Sequence, residues 1–165
     1  CSSDLLISII PNADCVVKAH LFSNPFLRGV VKNTGYISNA DPEGLLQDCQ
    51  TSLAAGNNLI IFPQGTRSIP NEQPKFQRGA ANIAIRCRAE VSAVLINVTP
   101  STLIKSEPWY KVPETKAHFT AEIIENPPEV PELELSRVSK QVRHYSNTLE
   151  IYFNEALSKY EQFKD

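Results

Sequence analysis

Short apolar runs alternate with helix-forming segments along this 165-residue chain. The runs at residues 14–17, 59–62 and 91–98 are bounded by turn-forming residues, which is typical of buried strands. Residues 118–124 alternate more loosely and give a fourth predicted strand. Because strands that alternate with helices favour an α/β fold, we expect a single domain over residues 1–165, with a mixed, largely parallel sheet flanked by helices.

Two segments between the strands have helical patterns. Asp41, Pro42 and Glu43 supply an N-cap, a proline at the first helical position and an acid in the first turn of a helix that ends before Gly56. Residues 77–90 carry small apolar side chains on one side and arginines near the end, which the helix dipole favours. Both segments are therefore predicted to be helices.

A long amphipathic helix is expected at the C-terminal end of the domain. Pro127, Pro128 and Pro131 punctuate the connector that precedes it. From Leu135 to Phe163, apolar side chains recur every three or four residues. We interpret this stripe as a core or partner contact rather than a cofactor site.

The overall composition excludes several classes of protein. Hydrophobic residues make up 42% of the chain and charged residues 21%, close to globular averages, and a net charge of -2 does not suggest nucleic acid. The four cysteines have no metal-ligand spacing, and no apolar run is long enough to span a membrane. Because the chain enters an apolar run soon after Cys1, with no turn or cap before it, we expect that its N-terminus is truncated.

Polar residues are concentrated after the predicted strand at residues 59–62. Ligands of α/β sheets bind at the carboxyl ends of strands, so we expect an interior strand here and a cleft at its end. Gly65 lets the backbone approach a ligand, and Arg67 offers a fork of donors that suits phosphate. Thr66 and Ser68 add hydroxyl groups. The alternative from composition alone is an ordinary loop with a surface arginine.

Residues Phe62-Pro63-Gln64-Gly65-Thr66-Arg67-Ser68 resemble the Phe-Pro-Glu-Gly-Thr-Arg-Ser signature of the lysophosphatidic acid and related glycerolipid acyltransferases. Further similar blocks follow in the family's order at residues 15–18, 24–29, 35–37, 76–81 and 97–100. The resemblance implies an acyltransferase-like fold. It also implies transfer of a fatty acyl group from acyl-CoA or acyl carrier protein to the hydroxyl of a lysophospholipid or related lipid.

The resemblance implies a catalytic histidine followed five residues later by an aspartate, in which the imidazole takes the hydroxyl proton and the aspartate orients it. None of His20, His118 and His144 has an aspartate at that spacing. We therefore expect Asp4 to be the catalytic aspartate, with its histidine five residues earlier, before Cys1.

Three positions depart from the family's pattern, one of which is the block at residues 91–94, which lacks the family's proline. The other two concern the predicted site. Gln64 replaces the usual glutamate, and Asn39 lies where a similar block often ends in a phosphate-binding arginine. Phosphate binding would then rest on Arg67 and Lys18. The substrate-binding residues that the resemblance implies are Lys18, Gln64, Gly65, Thr66, Arg67 and Ser68.

No metal or tightly bound cofactor is implied, because the acyl donor is a substrate. The implied partners are a lipid acceptor, acyl-CoA or acyl carrier protein, and a peripheral membrane surface, without nucleic acid. We expect the cytoplasmic face of the inner (cell) membrane, with peripheral binding or an anchor before Cys1. Gln64 and the absent histidine favour an alternative, a non-catalytic lipid- or carrier-binding relative. A nucleotide-binding domain is disfavoured because its glycine-rich motifs are missing.

Overall fold

The computed structural model describes residues 2–19, 36–66, 73–100, 102 and 113–162, with the backbone alone for residues 2–4 and 161–162. The helices and strands in this part of the chain confirm the α/β class. In chain order they are α1 (Ser2–Ile9), β1 (Ala13–Val17), β2 (Tyr36–Ser38), α2 (Pro42–Ala54), β3 (Asn58–Ile60), α3 (Arg78–Cys87), β4 (Ala93–Thr99), β5 (His118–Ile124) and α4 (Val138–Gln162).

The chain divides into two compact units. The first comprises residues 1–62 and 86–89, and the second comprises residues 63–85 and 90–165. Strands β1, β2 and β3 form a parallel sheet in the first unit, and β4 and β5 form an antiparallel pair in the second. The predicted mixture of strand directions is thus divided between two sheets in the described residues. The expectation of a single domain stays a prediction.

β1 is the central strand of the parallel sheet. Its Cys15 is fully buried and pairs with Tyr36 of β2 on one side and with Ile60 of β3 on the other. Within the described part of the chain, β3 pairs with β1 alone and therefore lies at the sheet edge. The described residues therefore do not show the interior position expected for residues 59–62. The strand covers residues 58–60, and Ile60 is the buried residue of the run.

A buried polar contact joins β1 to α2. The Asp14 carboxylate accepts hydrogen bonds from the buried Ser52 hydroxyl and, at 3.0 Å, from Asn57 Nδ2. Asn57 reaches Asp14 because α2 ends as predicted before Gly56, whose φ of 81° is a conformation that favours glycine. The Asn57 N–H then donates to the Ser52 carbonyl at 3.1 Å, which closes the helix end. Asn57 thus closes the end of α2 and also stabilises the contact of this helix with the sheet.

The N-cap of α2 gives the first testable prediction. The Asp41 carboxylate accepts hydrogen bonds from the Glu43 N–H at 3.4 Å and the Gly44 N–H at 2.8 Å. Asp41→Ala removes both bonds, so we expect the free energy of unfolding to fall by about 1 kcal/mol. Urea unfolding monitored by circular dichroism measures this, with Asp48→Ala, an exposed position on the same helix, as the control. An equal loss in both variants would contradict a capping role.

The core of the second unit lies between α3 and α4. Its buried side chains are those of Ala81, Ala84, Ile85, Val138, Val142, Tyr145 and Leu149. They confirm the predicted long amphipathic helix, which begins at Val138. Leu135 is not part of the buried stripe, because it lies in the turn before α4 and is 82% exposed. Phe163 lies outside the described residues.

Candidate functional site

Two of the residues singled out by sequence follow the parallel strands of the first unit. Lys18 follows β1 and is exposed. Asn39 follows β2, where its N–H donates to the Val17 carbonyl at 3.1 Å and its Oδ1 accepts from the Ala19 N–H at 2.9 Å. Asn39 therefore fixes the chain as it leaves β1. The amide has a structural contact at the position where the similar block of the family often ends in arginine.

The signature loop begins just after β3. Phe62 lies two residues beyond the strand, and the turn that starts at Pro63 belongs to the second unit. Gly65 has a φ of 62°, so the tight backbone here requires glycine. Gly65 and Thr66 are exposed, whereas Gln64 is half-buried. The exposed part of the loop is thus Gly65 and Thr66, and its predicted role in binding a ligand stays a prediction.

The base of the signature loop is closed by a backbone hydrogen bond. The Gln77 N–H donates to the Pro63 carbonyl at 2.7 Å, and a Cβ placed on Gly65 would meet Gln77 Cγ at 3.5 Å. Arg67 and Ser68, which supply the predicted phosphate contacts, lie outside the described residues. Their roles stay predictions.

A contact that sequence analysis did not identify holds Phe76, the residue before Gln77. The Phe76 N–H donates to Glu150 Oε2 of α4 at 2.7 Å, and the Phe76 and Phe153 rings lie 5.3 Å apart between centroids. The only sequence signal is a glutamate beside the apolar stripe of α4. That signal is too common to identify a contact across 74 positions.

The structure describes few of the side chains that bear on the predicted catalytic residues. Asp4 lies in α1, but its side chain is outside the described residues, as is His20. His118 and His144 are exposed, on β5 and α4 respectively. The assignment of Asp4 therefore stays a prediction.

Buried cysteine thiols are poor candidates for a nucleophile. Burial raises the pKa of Cys49 to about 12, and the nearby Cys87, Asp48 and Asp14 add to the effect. Burial also raises the pKa of Cys87. Both thiols stay protonated near pH 7, and the thiolate is the reactive form. Over the described ranges, no group of three or more His, Cys, Asp or Glu residues is arranged to hold a metal ion.

A groove of about 320 Å³ lies between β5 and α4 in the second unit. Its lining comprises Leu95, Glu122, Ile123, Ile124, Glu125, Tyr152, Glu155, Ala156, Lys159 and Tyr160. Within this lining, the Tyr152 hydroxyl donates to the Glu125 carbonyl at 2.8 Å. Of the predicted site residues whose side chains the structure describes, none lines the groove. The three glutamates and the lysine in this lining do not suit a phosphate group.

Of the helices that the structure describes, none combines the length and the apolar character needed to cross a bilayer.

Comparisons with known proteins support the family resemblance. The acyltransferase family model matches residues 4–99. A 1-acyl-sn-glycerol-3-phosphate acyltransferase of Chlamydomonas reinhardtii is 34% identical over 58 residues, which span 35% of this chain and only 18% of that relative. No solved structure matches the chain. Since the family match covers more than half of the chain and includes the signature loop, the protein belongs to the acyltransferase family, as its resemblance to glycerolipid acyltransferases predicted.

Proposed function

We propose that this protein transfers a fatty acyl group from acyl-CoA or acyl carrier protein to the hydroxyl of a lysophospholipid or related lipid. The acceptor oxygen attacks the thioester carbonyl, so that an ester C–O bond forms and the C–S bond breaks. A base removes the hydroxyl proton, and the donor leaves as its thiol after taking up a proton. Holding the two reactants together contributes much of the acceleration of such a reaction.

The observation that carries this proposal is the family match over residues 4–99, which contains the signature loop. The geometry of that loop supports it. Gly65 adopts a left-handed conformation, and the Pro63 carbonyl is bonded to the Gln77 N–H, so the loop has a fixed base and an exposed tip. A loop of this kind can present backbone amides and side chains to an anionic acceptor.

We assign the acceptor phosphate to Arg67, with Lys18 as a second cation. The Thr66 and Ser68 hydroxyls would add donors, and Asp4 would orient the histidine base. A lipid acceptor requires the enzyme to work at a membrane surface, and we propose the cytoplasmic face of the inner membrane.

Arg67 gives the second testable prediction. Arg67→Ala should weaken binding of a phosphate-bearing lysolipid by about ten- to a hundredfold, since a charge-assisted hydrogen bond contributes roughly 1.5 to 3 kcal/mol. Arg67→Lys should weaken binding less, because lysine keeps the charge but loses the planar fork of donors. Isothermal titration with lysophosphatidic acid below its critical micelle concentration measures both. Unchanged affinity in both variants would exclude the contact.

A non-catalytic lipid- or carrier-binding protein is the second candidate function. It is favoured by Gln64, which replaces the usual acid of the signature, and by the lack of a histidine at the catalytic spacing within the chain. The full-length protein, incubated with radiolabelled acyl-CoA or acyl carrier protein and a lysophospholipid, distinguishes the two candidates. Labelled diacyl product supports the enzyme. Binding of the lysolipid without product supports the binding protein.

A further inference from the structure

We propose that Glu150 on α4 is a positioning residue for the signature loop. Its carboxylate fixes the backbone at Phe76, and the neighbouring Gln77 fixes the loop at Pro63. This inference rests on the proposed acyl transfer for its effect on catalysis, but the contacts themselves are independent of that function.

Helix α4 holds the backbone at Phe76. Phe76 precedes α3, so its N–H has no partner within that helix, and the Glu150 carboxylate accepts it at 2.7 Å. An ionised acceptor makes such a bond shorter and stronger than a neutral one. The tilted Phe153 ring, 5.3 Å from that of Phe76, packs against the same residue. Phe76 also packs against the buried core of α3 and α4.

Gln77 connects Phe76 to the signature loop. Gln77 is the next residue, and its N–H donates to the Pro63 carbonyl at 2.7 Å. Its side chain also lies beside Gly65, the residue with the left-handed backbone. Two successive backbone amides are therefore held by different segments, one by α4 and one by the start of the loop. A shift at Phe76 would move Gln77 and, with it, the turn at Gly65.

The helix that supplies this anchor lies outside the part of the chain that matches the family. The match ends at residue 99, whereas α4 begins at Val138. We therefore infer that the C-terminal helix stabilises the domain and also sets the geometry of the signature loop.

Substitutions at Glu150 test this inference as the third prediction. Glu150→Ala removes the acceptor, whereas Glu150→Gln keeps an uncharged acceptor oxygen. Glu155→Gln, an exposed position on the same helix, is the matched control. In the full-length protein we expect the Phe76 amide to exchange with deuterium at least about tenfold faster in the alanine variant, and kcat/KM for the lysolipid to fall about tenfold. The glutamine variant should recover most of both losses, and the control should match the wild type.

Several results would overturn the proposal. Unchanged exchange at Phe76 in Glu150→Ala would show that the carboxylate does not hold this amide, whatever the activity. Faster exchange with unchanged kcat/KM, at a folded fraction verified by circular dichroism, would show that the anchor is structural and does not position the loop for reaction. If the wild-type protein transfers no acyl group, acyl transfer itself is excluded. Exchange of the backbone amides of residues 64–66 then decides whether Glu150 positions the loop.

Discussion

A protein that starts at Cys1 is expected to fold but to transfer no acyl group to a lysolipid, whereas the full-length protein is expected to transfer it. Among the three histidines of the chain, none has an aspartate at the catalytic spacing. A histidine five residues before Asp4 would be the general base. General base catalysis contributes a factor of roughly 10² to 10⁴ to the reaction rate. The rate without it should fall to the background of the assay.

The experiment needs variants that separate catalysis from folding. In the full-length protein, Asp4→Asn should lower kcat strongly, because the amide no longer orients or stabilises the imidazole. Gln64→Glu should be tolerated or should increase turnover, because it restores the usual acid of the signature. Radiolabelled transfer measures activity, and circular dichroism verifies folding. Undiminished transfer by the protein that starts at Cys1 would contradict the missing base, and inactivity of all proteins with lipid binding retained would indicate the non-catalytic relative.

Elements with strong local signals were predicted closely. Asp41 caps α2 as expected, and Gly56 ends it, because both roles depend on side chains and dihedral angles within a few residues. The strand at residues 118–124 also has the predicted bounds, although its alternation is looser than that of the other runs. Local chemistry is visible in a single sequence, so these elements needed no tertiary information.

Features that depend on distant contacts were predicted less well. The run at residues 59–62 has the hydrophobicity of an interior strand. In the described residues, however, β3 pairs with one neighbouring strand. Strand pairing depends on segments that are far away in sequence, so the run alone does not predict it. Leu135 continues the helical spacing but precedes the helix. Periodicity indicates which side chains can be buried together, and the partner element decides which of them are.

In the candidate site, too, the local motif was predicted and the distant contacts were not. The signature at Phe62 to Ser68 was recognised from its residue types, together with further similar blocks that follow the family's order. The bond from Phe76 to Glu150 joins residues 74 positions apart and follows from the packing of α4, which no motif encodes. The hydrogen bond from the Ala19 N–H to the Asn39 side chain likewise depends on the pairing of β1 with β2, which the sequence does not show.

The packing of α3 against α4 should make Ile85→Ala the substitution with the largest effect on stability. Ile85 is fully buried in the core between these helices. Its truncation leaves a cavity among well-packed neighbours, and we expect the free energy of unfolding to fall by about 2 to 5 kcal/mol. Ile151→Ala is the matched control, because Ile151 lies on α4 and is 60% exposed, so its loss should stay within about 0.5 kcal/mol.

Urea unfolding, followed at several wavelengths, measures the free energy of unfolding of both variants. An unchanged slope of this free energy against urea concentration would show that the substitution acts on stability alone. Since α3 begins directly after Gln77, loosening of its core should also speed amide exchange at Gln77, whose N–H closes the signature loop. A loss below about 1 kcal/mol in Ile85→Ala, or equal losses in both variants, would contradict this core. A large loss without faster exchange at Gln77 would show that the loop is held independently of α3.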